Sequence, residues 1–134
     1  MLSSILQSPT SAALEQVLNF AQARHAILAG NVANLDTPGY RVRDLSVETF
    51  QERLEDLIET RRTSAPAGDG KLDVDDELRR VKDSMKSILF HDGSDVGIEQ
   101  QVTEISKNQM MHNLAIAIMN SQYRLMEAAI SERV

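Results

Sequence analysis

Three histidines, a run of aspartates and the arginine pair Arg61-Arg62 are the residues of this 134-residue chain whose types and spacing could support chemistry. His25 and His112 each fall on an apolar stripe of helical spacing. A metal bridge would need both rings to face each other and further ligands. No Asp or Glu shares either stripe, so the pair is read as setting register between helices, the common use of a polar residue in an apolar seam. His91 lies in His91-Asp92-Gly93-Ser94-Asp95, a turn sequence. Asp69-Gly70, Asp73 and Asp76 invite comparison with a calcium loop. Such a loop needs oxygen ligands at its first and third positions and a bidentate Glu at its twelfth. The matching frame places Ala65, Ala67 and Asp76 there, so two ligands are missing and the last is too short. The acidic run Leu72–Glu77 better suits the N-terminus of a helix carrying Val74, Leu78, Val81 and Met85 on one face. Arg61-Arg62 either complements the negative end of a helix or offers a phosphate or lipid site, and the first is the simpler reading. There is no cysteine, hence no disulfide, thiolate catalyst or Cys-based metal site. No nucleophile–base set, glycine-rich phosphate loop or paired carboxylates in an apolar setting stand out. The chain is therefore expected not to be an enzyme, with no catalytic, cofactor-binding or metal residues and no small-molecule substrate.

The elements that carry these residues follow from periodicity. Ile98, Val102, Ile105, Gln109, His112, Ile116, Met119, Tyr123, Met126 and Ile130 recur at gaps of four and three, a heptad register. No proline or glycine interrupts the run after Gly97, so the helix would be roughly 50 Å long. Its stripe needs a long partner. At the other end Leu14, Leu18, Ala21, His25, Leu28, Val32 and Leu35 follow the same gaps, with Thr10 or Ser11 as a cap and Glu15 near the positive end of the dipole. The simplest burial scheme pairs the two as a coiled coil, within one chain or between chains; an ordinary bundle of two amphipathic helices is the alternative. The methionines 110, 111, 119 and 126 fit as adaptable packing residues.

The first helix stops at Asn31-Val32-Ala33-Asn34-Leu35-Asp36-Thr37-Pro38-Gly39-Tyr40. Pro38 pushes Thr37 out of helical geometry, and Pro38-Gly39 forms the centre of a type II turn. The amides of Asn31 and Asn34 lie where they can bond main-chain groups freed by the helix end, and Tyr40 folds back on the helix. Tyr40–Arg43 then alternates as a short strand. Ser46 caps a helix with Phe50, Leu54, Leu57 and Ile58 on one face, ending near Arg61 or Arg62. Thr63–Lys71 reads as an exposed loop. Ile88-Leu89-Phe90 can pair with Tyr40–Arg43 as a two-stranded ribbon.

Composition sets the outer bounds. Hydrophobic residues make up 42% but aromatics only 4%, a balance that suits helix packing over a sandwich or barrel. The net charge of −6 argues against nucleic acid as a partner. Met1–Pro9 lacks the pattern of a secretory signal, and the longest apolar run, Leu114–Met119, is too short to span a bilayer. The expected fold is mainly α: long N- and C-terminal helices paired as a coiled-coil-like hairpin, with a small middle region of short helices and a two-stranded β ribbon. The expected divisions are 1–45, the N-terminal helix and turn; 46–95, a variable middle; and 96–134, the C-terminal helix, together one structural unit.

The run LAGNVANLDTPGYR, ending at Arg41, resembles the N-terminal signature of bacterial flagellar axial proteins. Asn31, Ala33, Asn34, Thr37, Pro38, Gly39 and Tyr40 match that signature, and Arg41 stands where lysine is common. Asp95-Val96-Gly97-Ile98-Glu99, Lys107-Asn108-Gln109 and the helix to Ile130 resemble the C-terminal region of the same proteins, with Gly97 in place of the usual Asp. The short chain and its middle spacing place the resemblance with the flagellar basal-body rod proteins, those of the proximal rod. What the resemblance implies is a structural subunit of the proximal rod that assembles through its terminal helices and transmits motor torque. It implies further that the seven signature residues form an assembly motif and the two stripes do the helix packing. The implied partners are other rod subunits, copies of itself, the export apparatus and the membrane-ring base. The implied location is the periplasmic rod of the basal body, reached through the flagellar secretion apparatus without a cleaved signal. A soluble coiled-coil adaptor or export chaperone is the alternative, but an adaptor has no need of Thr-Pro-Gly-Tyr after its first helix.

Overall fold

The structure, a computed structural model, describes residues 9–63, 86–87 and 97–131. In chain order its elements are α1 (Pro9–Ala33), β1 (Arg43–Asp44), α2 (Val47–Thr63), β2 (Lys86–Ser87) and α3 (Ile98–Ser131). The calcium-loop comparison, the Val74–Met85 face, the Ile88–Phe90 run and the His91–Asp95 turn all lie outside the described residues.

The two long helices dominate. α1 spans 25 residues and α3 spans 34. They pack antiparallel: Asn31 meets Gln101, Arg24 meets Glu104 and Asn108 meets the main chain of Ala21. α1 is rich in Ala, with Leu and Gln, and α3 adds four Met to the same set; these residues lose little rotamer freedom in a helix. α3 also absorbs Thr103 and Ser106, whose hydroxyls donate to the carbonyls of Glu99 and Val102 one turn back. The pairing of terminal helices expected from the heptads is thus present within a single chain.

Helix ends follow from local chemistry. α1 already contains Thr10 and Ser11, so neither caps it; Pro9, whose fixed φ suits a first turn, is its first described residue. At its C-terminus Asn34 donates from Nδ2 to Gly30 O (2.7 Å), while its own N–H reaches Asn31 O (3.2 Å). Ser46 opens α2: its Oγ accepts from Thr49 N at 3.2 Å, and its carbonyl accepts from Phe50 N. α3 begins after Gly97, whose carbonyl takes the N–H groups of Gln100 and Gln101.

α2 folds back on α1. Phe20 and Phe50 stack with ring centroids 4.0 Å apart and an interplanar angle of 10°. Leu45 joins them, with Val17, Ala23, Ile27, Val47, Leu54 and Met111 around the edge. The small ribbon shares only Arg43 with the expected strand Tyr40–Arg43 and uses Lys86–Ser87, just before the expected Ile88–Phe90. Arg43 lies opposite Ser87 and Asp44 opposite Lys86, antiparallel. Tyr40 is instead drawn onto α1, which moves the pairing toward Asp44.

Candidate assembly site

The helix stop places its side chains in a small, fully bonded knot. Tyr40 N donates to Thr37 O at 3.0 Å and Gly39 has φ 76°, the geometry of a type II turn with Pro38 and Gly39 at its centre. The turn reverses the chain so that it runs back along α1. Asn31, with no exposed surface, receives it. Its Oδ1 accepts from Tyr40 Oη (3.1 Å) and Arg43 N (3.2 Å); its Nδ2 donates to Arg43 O (2.6 Å) and to Gln101 Oε1 (3.1 Å). An amide has two donors and two acceptor lone pairs, and all four are used. Asn31 pairs with the main chain of Arg43 much as a neighbouring peptide group would.

One heptad earlier on α1, Arg24 makes a second knot. It is 5% exposed. Nε and Nη2 grip Asp44 side-on at 2.8 and 2.6 Å, and Nη2 also reaches Glu104 at 2.7 Å. Asp44 Oδ1 accepts from Leu45 N at 2.8 Å, and Lys107 Nζ donates to Glu104 Oε1 at 2.7 Å. The bond to Asp44 is the main reason the Arg24 guanidinium is held above its ordinary value, against the opposing effect of burial. The Glu104 carboxyl is held below the usual carboxylate value, first by Lys107 and then by Arg24, again against burial. A third stitch, Asn108 Nδ2 to Ala21 O at 2.7 Å, closes the helices tightly enough for a side chain to reach a helix carbonyl. Asn108 Oδ1 and His112 Nδ1 are buried there without a protein partner.

The seam expected from apolar spacing is rotated by these polar groups. On α1 the structure buries Leu14, Ala21 and Leu28, half-buries Leu18 and Val32 and exposes His25; Leu35, just past the helix end, is half-buried. Arg24 and Asn31 take the polar seam places on α1, while His25 is exposed and His112 half-buried. On α3, Ile105, His112, Met119 and Met126 are half-buried, whereas Ile98, Val102, Gln109, Ile116, Tyr123 and Ile130 are exposed. The inner row running beside the half-buried one is Gln101, Asn108, Ala115 and Gln122, one position back from the expected residues. The cause is that Gln101, Glu104 and Asn108 find specific partners, which an apolar count treats as surface.

Arg24, Asp44, Gln101 and Glu104 escaped sequence reading. For Arg24 the signal was the alternative heptad frame Leu14, Val17, Ala21, Arg24, Leu28, Asn31, which a purely apolar stripe rejects; Asp44, Gln101 and Glu104 lie outside that frame. Of the remaining signature residues, Ala33, Thr37, Pro38 and Gly39 are exposed, and Asn34 and Tyr40 are half-buried. Among the described residues no group of three or more His, Cys, Asp or Glu is placed to hold a metal ion, and no helix is long and apolar enough to cross a membrane.

Comparison with known proteins gives concordant matches. Residues 17–41, α1 from Val17 onward with the turn, match the family described as flagella basal body rod protein. A protein of Aquifex aeolicus named flagellar basal body rod protein FlgB is 31% identical over 98 residues, 73% of each chain. The proteins of the same name from Bacillus subtilis and Salmonella typhimurium are 24% and 29% identical; the first match covers 94% of this chain and 96% of the relative, the second 82% and 84%.

Proposed function

The chain belongs to the FlgB family of flagellar basal body rod proteins, and we propose that it is a structural subunit of the proximal rod, built into the basal body by lateral packing of its helices. The observation that carries the packing mode is the surface of α3. Its inner face is committed to α1, yet Ile98 (56% exposed), Val102 (50%), Met110 (74%), Leu114 (60%) and Leu125 (68%) stay open to solvent. A run of large apolar side chains left exposed along the outer side of one long helix supports a surface that another molecule covers. The neighbours are copies of this chain and related rod subunits, with the export apparatus and the membrane-ring base at the lower end. The site is the periplasmic part of the basal body, reached through the flagellar secretion channel. Rigid helices locked in register suit torque transmission, and no chemistry is required of any residue.

The signature residues Asn31, Ala33, Asn34, Thr37, Pro38, Gly39 and Tyr40 act in this reading as the corner that holds the assembly surface in shape. The divisions 1–45, 46–95 and 96–134 serve in this reading as the N-terminal helix with its corner, a variable middle and the C-terminal helix. The relatives give no support to the adaptor alternative.

The test is genetic. Replacing the chromosomal gene with a Leu114→Ser/Leu125→Ser version is expected to abolish swimming and leave basal bodies without a complete rod, while the purified variant keeps its helix content. Normal motility and complete rods in that strain would overturn the packing mode; complete rods in a deletion strain would overturn the rod assignment itself.

A further inference from the structure

Arg24 and Asn31 have an unusual property in common: each bridges the same two elements. Arg24 holds Asp44 of β1 and Glu104 of α3; Asn31 holds Arg43 of β1 and Gln101 of α3. Both sit on one stripe of α1 and both are buried. We propose that the pair is a coincidence lock, which seats the returning segment Tyr40–Leu45 on α1 only while α3 lies alongside in register.

The physical reason is that neither contact is self-sufficient. With α3 in place, the Arg24–Asp44 pair is shielded from water, and Asn31 meets Arg43 inside a dry seam where each hydrogen bond is stronger. With α3 displaced, Arg24 loses one of its two carboxylates and becomes an ordinary exposed ion pair with Asp44, of little value. Asn31 Nδ2 loses Gln101, and its bonds to Arg43 compete with solvent. The converse also holds. Without Asp44 and Arg43 in position, the buried guanidinium and amide that α3 must cover are left partly unpaired, at a cost in desolvation. Such coupling is reciprocal by thermodynamic necessity. The corner and the open face of α3 are then presented together in one fixed arrangement, or not at all. This goes beyond the rod assignment, because it concerns the isolated chain and stands or falls without reference to assembly.

Residue-resolved hydrogen exchange on the full chain tests it. Two amides report seating of the segment: Arg43 N–H, which donates to Asn31, and Leu45 N–H, which donates to Asp44. Neither touches α3. Glu104→Gln keeps shape but removes the charge that Arg24 meets on α3. Exchange at Leu45 and Arg43 is expected to accelerate roughly tenfold, within the usual range of intersite coupling, while Phe50 N–H and the amides of α2 keep their rates. Reciprocally, Asp44→Asn is expected to accelerate exchange at Glu104 and Asn108, which do not touch residue 44. Should Glu104→Gln fail to fold, Gln101→Leu removes a single bond and is read at Arg43. Unchanged exchange at the reporter amides, or uniform acceleration across every helix, would overturn the lock.

Discussion

The hydroxyl of Tyr40 donates to Oδ1 of Asn31 at 3.1 Å, nine residues back along the chain, and so closes the loop that the Pro-Gly turn opens. Asn31 is the only side chain that can receive it while also pairing with both main-chain groups of Arg43, because that task needs an acceptor and a donor on one short planar group. Asn31→Asp is expected to lose the donations to Arg43 O and Gln101 Oε1, and Asn31→Leu to lose every bond at that point. Each buried group left unsatisfied costs about 1–3 kcal/mol, so Asn31→Leu is expected to destabilise by at least about 2 kcal/mol, measured by urea denaturation. Tyr40→Phe, which removes one bond at a half-buried position, is expected to cost about 1 kcal/mol; equal losses for the two would contradict the central place of Asn31.

Gly39 tests the turn separately from packing. Its φ of 76° lies in the left-handed region, but a Cβ built there meets nothing within 4 Å. Gly39→Ala is therefore expected to cost about 1–2 kcal/mol from backbone conformation alone, and Gly39→Asn less, since Asn tolerates that region. If thermal melts show the two variants to be equally unstable, steric crowding rather than backbone preference governs the corner.

Acid weakens the fold in part through Glu104. Its carboxyl titrates below the ordinary carboxylate value in the folded protein, so it contributes stability above its unfolded value. That contribution is lost as pH falls through the folded one. The groups facing it are Arg24 of α1, Lys107 on its own helix and, beyond Arg24, Asp44. Urea midpoints followed from neutral pH down to pH ~3 are expected to drop less steeply for Glu104→Gln than for the parent; parallel curves would remove Glu104 from the acid response.

The Phe20–Phe50 stack attaches α2 to the helix pair. Phe20 is completely buried and Phe50 nearly so. Phe20→Ala is expected to cost about 3–5 kcal/mol. A double-mutant cycle with Phe50→Ala is expected to give a coupling of about 0.5–1.5 kcal/mol, the value of an aromatic pair beyond area burial. Additive losses would mean that the rings do not act as a pair.

The outer face of α3 makes the opposite prediction. Leu114→Ser and Leu125→Ser are expected to change the stability of the isolated chain by no more than about 0.5 kcal/mol, as surface substitutions do. A larger loss in urea unfolding would place those side chains in the core of the monomer and leave less apolar surface for assembly.

Two long helical ends, a stop at Asn31–Asn34, a type II corner at Pro38-Gly39 and a Ser46 cap could all be read from the chain alone. Each depends on residues within a few positions of one another: proline geometry, glycine's freedom at positive φ, a hydroxyl three residues from an N–H. The heptad spacing likewise announced that the two ends pair. Only the tertiary structure decided which face of each helix does so. Spacing specifies the angle between successive seam residues but not the rotation of the whole stripe once polar side chains occupy it. Arg24, Asn31, Gln101, Glu104 and Asn108 belong inside because each meets a particular partner far along the chain, and a partner's identity is a property of the fold. His25 and, on α3, Ile98, Val102, Gln109, Ile116, Tyr123 and Ile130 lie outside for the same reason: their spacing put them in the seam in the sequence, and the hydrogen-bonded groups beside them held it in the structure.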